Sequence, residues 1–262
     1  MGNILEIRDL SVIYDERDTA VRGLNMDVPE GSVVAIVGES GSGKSTVIRS
    51  VMGLLSSGAR IASGEILFHG KDLVRMPEKQ KRLLRGRRMS LIFQDAAASL
   101  DPRKKIGYQY AEVLLSHMDI TKAEALDKAE ETLRHISMPD PGRILDSYPF
   151  ELSGGMVQRV AIAMAVSMGS ELLLADEPTS ALDVTIQIQV VDLLMEMKRR
   201  FGTTIMLVTH NIGVASYMAD LIAVMRHGEL VEIGTRDEII LAPKQDYTKM
   251  LISSVPDMEV TV

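Results

Sequence analysis

The sequence predicts an α/β fold built on a mostly parallel sheet. Three observations lead there. The apolar, β-branched run Val33-Val34-Ala35-Ile36-Val37 leads into Gly38-Glu39-Ser40-Gly41-Ser42-Gly43-Lys44-Ser45-Thr46, and the breaker-free run Val47 to Met52 comes next with helical spacing. A second buried-strand run, Leu172-Leu173-Leu174-Ala175, ends on Asp176-Glu177. Further short apolar strands alternate with helical stretches, the pattern of parallel strands joined by crossovers.

The segment Gly38 to Thr46 is a complete G-x-x-x-x-G-K-[ST] phosphate-binding loop in its required strand-to-helix context. Its glycines let the backbone curl so that N–H groups point inward at phosphate oxygens. The helix that opens near Lys44 adds its positive end. All nine residues are therefore candidate nucleotide ligands: Gly38, Glu39, Ser40, Gly41, Ser42, Gly43, Lys44, Ser45 and Thr46. Lys44 is expected to reach the β- and γ-phosphates, and the Ser45 hydroxyl to ligate Mg²⁺. Asp176 stands at the C-terminal end of a buried strand, where parallel sheets bind ligands. It is the second expected Mg²⁺ ligand, through water. Glu177 beside it is left to polarise an attacking water.

Composition bounds the rest. A chain of 262 residues, 46% of them hydrophobic, can bury a sizeable core as a single domain over 1–262. Within it a helical subdomain is expected at about 95–166 and a short C-terminal tail at 235–262. A net charge of −7 argues against a nucleic-acid partner, which would require a basic face. Cysteine is absent, which excludes disulfides, cysteine-ligated zinc and iron–sulfur clusters. No apolar run approaches the ~20 residues of a membrane helix. The N-terminus has no basic region followed by an apolar one, as a secretory signal would. The expectation is a soluble cytoplasmic protein that meets the membrane only through a partner.

In chain order, strands are expected over Ile4 to Val12 and Val21 to Val28, the second ended by Pro29-Glu30-Gly31. They form an N-terminal antiparallel β subdomain, with Tyr14 in a polar loop between them. Gly64 to Gly70 reads as a short strand bounded by glycines. The basic stretch Glu78 to Arg88 reads as a solvated helix face. Ser90 to Phe93 is a strand that stops at Gln94, and the reading is helical from there to about Val166. Pro139, Pro141 and Pro149 break that region. Thr121 and Glu124 form a capping box that opens a helix through His135. A helix from near Gly155 puts Val157, Val160, Ala161, Met164, Ala165 and Met168 on one face. A helix over Val184 to Arg200 and a strand over Thr204 to Val208 come after it. Leu221 to Met225 and Glu229 to Ile233 flank the turn Arg226-His227-Gly228. The methionines read as adaptable core filling.

Leu152-Ser153-Gly154-Gly155-Met156-Val157-Gln158-Arg159 adds a second anion site, a hydroxyl and free N–H groups at a helix N-terminus. A chain with one phosphate-binding loop has a use for a second γ-phosphate site only if it serves another chain. At this stretch the sequence resembles the ATP-binding subunits of ABC transporters, from about Ile4 to Pro256. Tyr14 is placed like the family's adenine-stacking aromatic. Gln94 matches the Q-loop, Leu152 to Gly155 the signature, and Asp176-Glu177 the Walker B pair. Ser180-Ala181-Leu182-Asp183 matches the D-loop and His210 the switch histidine. Met156 departs from the Gln common in the family but suits the subfamily that imports peptides or nickel. Phe93-Gln94-Asp95, Ser99-Leu100-Asp101-Pro102 and Asp246-Tyr247-Thr248 through Pro256 point to the same subfamily. Many of its members carry a longer C-terminal extension, some with a cysteine cluster that this chain lacks.

The resemblance implies a mechanism. Two ATP-binding subunits close face to face, with each ATP between Gly38–Thr46 of one and Ser153-Gly154-Gly155 of the other. Lys44 and Mg²⁺ neutralise charge, and Glu177 orients or deprotonates the water. His210 contacts the γ-phosphate region, Gln94 reaches Mg²⁺ or the water, and Asp183 bridges the chains. The implied partners are a transmembrane permease, a second ATP-binding subunit (identical or paralogous) and, indirectly, an external substrate-binding protein. The chain would then sit on the inner face of the membrane. Gln94 through Pro102 would couple nucleotide state to a cytoplasmic helix of the permease. Two other readings compete. A soluble ATPase of a metabolic complex, such as one for phosphonate breakdown, would carry the same motifs. A nucleotide-dependent clamp or translation factor would show two cassettes, a coiled-coil insert or a basic surface, and none is visible here. The other four histidines lack metal-ligand spacing, so nickel cargo would not bind to this chain.

Overall fold

The computed structural model describes residues 2–15, 18–95, 99–180 and 182–254. The chain opens with β1 (Asn3–Tyr14), β2 (Asp18–Pro29), β3 (Val33–Val37) and α1 (Lys44–Met52). Next come β4 (Ala59–Phe68), β5 (Lys71–Asp72), α2 (Glu78–Leu84) and β6 (Met89–Ile92). A helical segment comes after β6: α3 (Ile106–His117), α4 (Lys122–His135), α5 (Pro141–Asp146) and α6 (Gly154–Ser167). The chain then returns through β7 (Leu172–Asp176), α7 (Val184–Phe201), β8 (Thr204–Thr209), α8 (Ile212–Met218), β9 (Leu221–Arg226) and β10 (Glu229–Thr235). It continues into α9 (Arg236–Leu241) and α10 (Asp246–Ser253).

The buried apolar runs form one six-stranded sheet in the order β10-β9-β3-β8-β7-β6. Its pairs are parallel except β9–β10, the hairpin around Arg226-His227-Gly228. Alternate side chains of its central strands feed two separate cores. Val33, Ala35 and Val37 of β3 join the core built from α3, α4, α6, α7 and α8, whereas Val34 and Ile36 join α1 and the N-terminal strands. Strands buried on both faces lose their polar–apolar alternation, which is why they read as continuous apolar runs. Each buried Val, Leu or Ile contributes about 1.5–3 kcal/mol, so this double core makes the sheet a stiff platform. The second sheet, β2-β1-β4-β5, is antiparallel throughout.

Register decides where the strand ends fall. Val37 pairs with Thr209, Asp176 with Val208, and Ile92 with Ala175. The parallel strands β3, β8, β7 and β6 therefore bring Gly38, His210, Glu177 and Gln94, each just past its strand, to one edge of the sheet.

Several boundaries differ from expectation. Tyr14 is the last residue of β1, paired with Asp18 and Ala59, and is not in a loop. Long pairing with β2 and β4 carries the strand past Val12. Gly64 does not bound β4 but lies inside it, at φ +93°, where β1 and β4 shift register. A Cβ there would lie 2.4 Å from the Asp9 carbonyl oxygen, so the bulge requires glycine. Helix α2 buries none of its residues, as a solvated face should, but the rest of that basic stretch is engaged. Arg85 pairs with Glu78, and Arg88 with Glu171. Helix α6 is buried well beyond the expected stripe, with Ile162, Ala163 and Val166 also inside. It packs against β6 and against α3, α4 and α7, and so has little solvent face. Met168 is its C-cap. Within the described part of the expected C-terminal tail stand α9 and α10, with Tyr247 and Thr248 of α10 buried. Residues from 255 onward, including Pro256, lie outside the described residues, as do 96–98 and Ala181. Among the described residues no helix is long and apolar enough to cross a membrane.

Candidate active site

The phosphate-binding loop leaves β3 directly. Gly38 sits at φ +149°, and a Cβ there would come 2.1 Å from the Met225 carbonyl oxygen of β9. Only glycine lets the loop leave the sheet so close to its neighbour. Lys44 opens α1 and is 4% exposed. Its Nζ donates to the Gly38 and Glu39 carbonyl oxygens at 2.8 and 2.7 Å, closing the loop on itself. Burial pushes the Lys44 ammonium below its usual range, while Glu177, Asp176 and Glu39 pull it back up.

Beside Lys44, the Ser45 hydroxyl donates to Asp176 Oδ1 at 2.6 Å. Asp176 is 2% exposed, and burial raises its carboxyl above the ordinary value; the Ser45 hydrogen bond and Arg49, whose Nη2 lies 3.7 Å from Oδ2, oppose that rise. A hydroxyl and a carboxylate facing each other are hard oxygen donors of the type Mg²⁺ takes. Among the described residues no group of three or more His, Cys, Asp or Glu forms a metal cage. Mg²⁺ takes one or two protein oxygens and completes its shell with phosphate and water.

Glu177 has the left-handed φ of +47°, a costly geometry for a non-glycine residue. Its N–H donates to the Val208 carbonyl at 2.9 Å, and its own carbonyl accepts from the Ser180 N–H and hydroxyl at 3.1 and 3.0 Å. These bonds hold the turn and leave the side chain at the sheet edge, where His210 Nδ1 lies 3.1 Å and Gln94 Nε2 3.4 Å from Oε2. The Glu177 side chain is 12% exposed and that of His210 59%. Tyr14 meets the end of the loop, its hydroxyl 3.5 Å from Thr46 Oγ1.

Ser153, Gly154, Gly155 and Asp183 stand apart from this cluster. Ser153 caps α6 by accepting from the Met156 N–H, and Asp183 caps α7 by accepting from the Ile186 N–H. A side chain added at Gly154 would meet open space. Among the described residues no hydrogen bond or ion pair joins these four to Gly38–Thr46. The N-terminus of α6 therefore presents free donors outward.

Three further residues touch the site without having been given a place in it by the sequence reading. Arg49 meets Asp176, and its place four residues after Ser45 on one helix face was the available signal. Gln158 donates from Nε2 to the Pro178 carbonyl at 2.8 Å, tying α6 to the turn after Glu177. It lies inside the signature stretch, but its residue type there carries no role of its own. Tyr247 accepts from the Glu39 N–H at 3.3 Å, and nothing local in the sequence marks that contact.

A family model described as ABC transporter matches residues 21–180. The oligopeptide transport ATP-binding protein OppD of Bacillus subtilis is 44% identical over 98% of this chain and 73% of its own length. The dipeptide transport ATP-binding protein DppD of the same organism is 43% identical over 99% of this chain and 78% of its own. Among solved structures, the ATP-binding cassette MJ0796, a dimer bound to ADP and Pi, superposes with a TM-score of 0.79 at 26% identity, covering 88% of this chain and 98% of that one. CbiO1 from Clostridium perfringens, part of an ABC transporter complex, gives a TM-score of 0.77 at 29% identity and 91% coverage of each chain. With a family model over more than half its length and such relatives across nearly all of it, the chain belongs to the ABC transporter family, as its ATP-hydrolysing cassette.

Proposed function

We propose that this chain is the ATPase subunit of an importer of di- and oligopeptides. The observation that carries the reading is the near-full-length similarity to OppD and DppD. The named relatives favour peptides over nickel, and both over a soluble metabolic complex. In this reading ATP lies on Gly38–Thr46, with Tyr14 against the adenine. Ser45 and Asp176 would hold Mg²⁺, which would supply charge neutralisation at the phosphates, and Gln94 would complete that side. Lys44 leaves the Gly38 and Glu39 carbonyls for the phosphates. Glu177 accepts a hydrogen bond from the attacking water and aligns it, the positioning that phosphoryl transfer to water most needs. His210 and Gln94 both hold the Glu177 carboxylate at Oε2.

The outward-facing Ser153-Gly154-Gly155 belongs to the ATP of a second subunit, and Asp183 to the contact between the two. That placement rests on free donors which this chain's own phosphate loop does not use. A groove of about 500 Å³ lies between β6, α3 and α6, lined by Phe93, Leu100, Val113, His117 and Met164 among others. Phe93, the chain neighbour of Gln94, lines it, and the groove suits the cytoplasmic helix of a permease. The chain thereby sits on the inner face of the membrane and couples, through the permease, to an external binding protein. Uptake of labelled di- and tripeptides by cells lacking this gene tests the reading. Wild-type chain should restore uptake and co-purify with a multi-span membrane protein. Unchanged peptide uptake in the deletion strain, with only soluble partners recovered, would favour the metabolic complex.

A further inference from the structure

The last described helix reaches the phosphate-binding loop from outside all of the site's motifs. The Glu39 N–H donates to the Tyr247 hydroxyl across 208 positions of sequence. Tyr247 is 7% exposed, and the helix that carries it is held from two directions. Glu232 of β10 accepts the backbone N–H groups of Lys244 and Gln245 at 2.8 and 3.1 Å. Gln245 is the N-cap of α10 and makes no side-chain cap of its own, so Glu232 supplies an acceptor at the helix entrance. The Arg226 guanidinium lies 4.6 Å from the centroid of the Tyr247 ring, a cation–π contact that fixes the ring's plane. Arg226 also begins the β9–β10 turn, whose Gly228 N–H donates to the Ser42 carbonyl at 3.1 Å. Turn and helix together grip the loop at Ser42 and at Glu39.

Glu39 is clamped at both of its backbone groups, its N–H by Tyr247 and its carbonyl by Lys44. A Lys44 that turns toward phosphate gives up its share of that clamp, and Tyr247 stays. We propose that Tyr247 is a positioning residue for nucleotide binding: its hydroxyl holds the Glu39 N–H so that the loop's remaining amides keep their phosphate-facing arrangement. The inference rests on reading Gly38–Thr46 as the phosphate site. Its physical basis is preorganisation, since a loop already fixed has less freedom to lose on binding.

The test compares Tyr247→Phe, which keeps the ring and its contact with Arg226, with Tyr247→Ala, which loses both. Hydrogen exchange of the peptide spanning 38–43 is followed in nucleotide-free protein, and ATP affinity and melting temperature are measured alongside. Tyr247→Phe should speed exchange of that peptide and raise the KM for ATP about three- to tenfold with kcat nearly unchanged, the scale of one lost hydrogen bond. Its melting temperature should stay closer to wild type than that of Tyr247→Ala. Wild-type exchange and wild-type KM in Tyr247→Phe would overturn the proposal. So would a lowered melting temperature with unchanged KM, which is a purely structural role. A wild-type chain that bound no ATP would instead overturn the reading of the loop, while loop exchange in Tyr247→Phe would still decide whether Tyr247 holds it.

Discussion

Ser45 and Asp176, 131 positions apart in sequence, meet at 2.6 Å. Topology brings them together: β3 and β7 run parallel with β8 between them, and both strands end at the same edge. Removing the hydroxyl with Ser45→Ala takes away one oxygen of the pair without disturbing the buried face of α1. The Mg²⁺ concentration for half-maximal hydrolysis should rise roughly 10- to 100-fold, the scale for disturbing a metal's oxygen partners. A Mg²⁺ titration of the hydrolysis rate at saturating ATP checks it.

On the proposed reading, the division between Gly38–Thr46 and Ser153–Gly155 should separate binding from turnover. A side chain at Gly154 meets nothing within 4 Å, so Gly154→Asp should leave the fold intact. The new carboxylate would face the γ-phosphate of the other subunit's ATP, and like charges brought together cost several kcal/mol. ATP binding by the isolated chain should stay within about twofold of wild type, while hydrolysis in the assembled transporter falls at least about tenfold. Nucleotide titration and phosphate release, measured on the same preparation, distinguish the two effects.

Gln158 ties the signature helix to the turn that presents Glu177. Gln158→Leu leaves the Pro178 carbonyl without its buried donor, which should cost about 1–3 kcal/mol. Urea unfolding should report that loss as a lower midpoint at unchanged slope.

Glu171 provides a pH prediction. The Arg88 side chain, donating through Nε and Nη2 at 2.5 and 2.6 Å, holds its carboxyl below the ordinary 4.5, and His69 adds to this against the opposing effect of burial. A depressed carboxyl contributes stability that is complete above its unfolded value and is lost as pH falls through the folded one. The difference in melting temperature between wild type and Glu171→Gln should therefore be full at neutral pH and shrink below about pH 4.5. The pair is partly exposed, so the effect should be modest and weaken with salt.

Much of the fold and the site is legible in the sequence because it is written locally. The phosphate loop, the Thr121 capping box and the doubly buried strands each declare themselves within about ten residues. The boundaries that moved were set by distant partners. Tyr14 is strand because Asp18 and Ala59 pair with it, and Gly64 is a bulge because Arg8 and Asp9 approach it. The contact between Tyr247 and Glu39 depends on how α10 folds back over β10, which no local pattern records. The same holds for Arg88 and Glu171: Arg88 reads as part of a solvated charge run, and only the pairing of the strands places it against its carboxylate.

In the proposed mechanism, alignment of the attacking water by Glu177 is the step on which the rest depends. The most direct measurement is phosphate release from MgATP by the assembled transporter carrying Glu177→Gln, with ATP binding followed in parallel. Binding should persist while turnover falls by at least about 10²-fold, the scale for losing a positioned base. Near-normal turnover with intact binding would contradict the role given to Glu177 and the mechanism built around it.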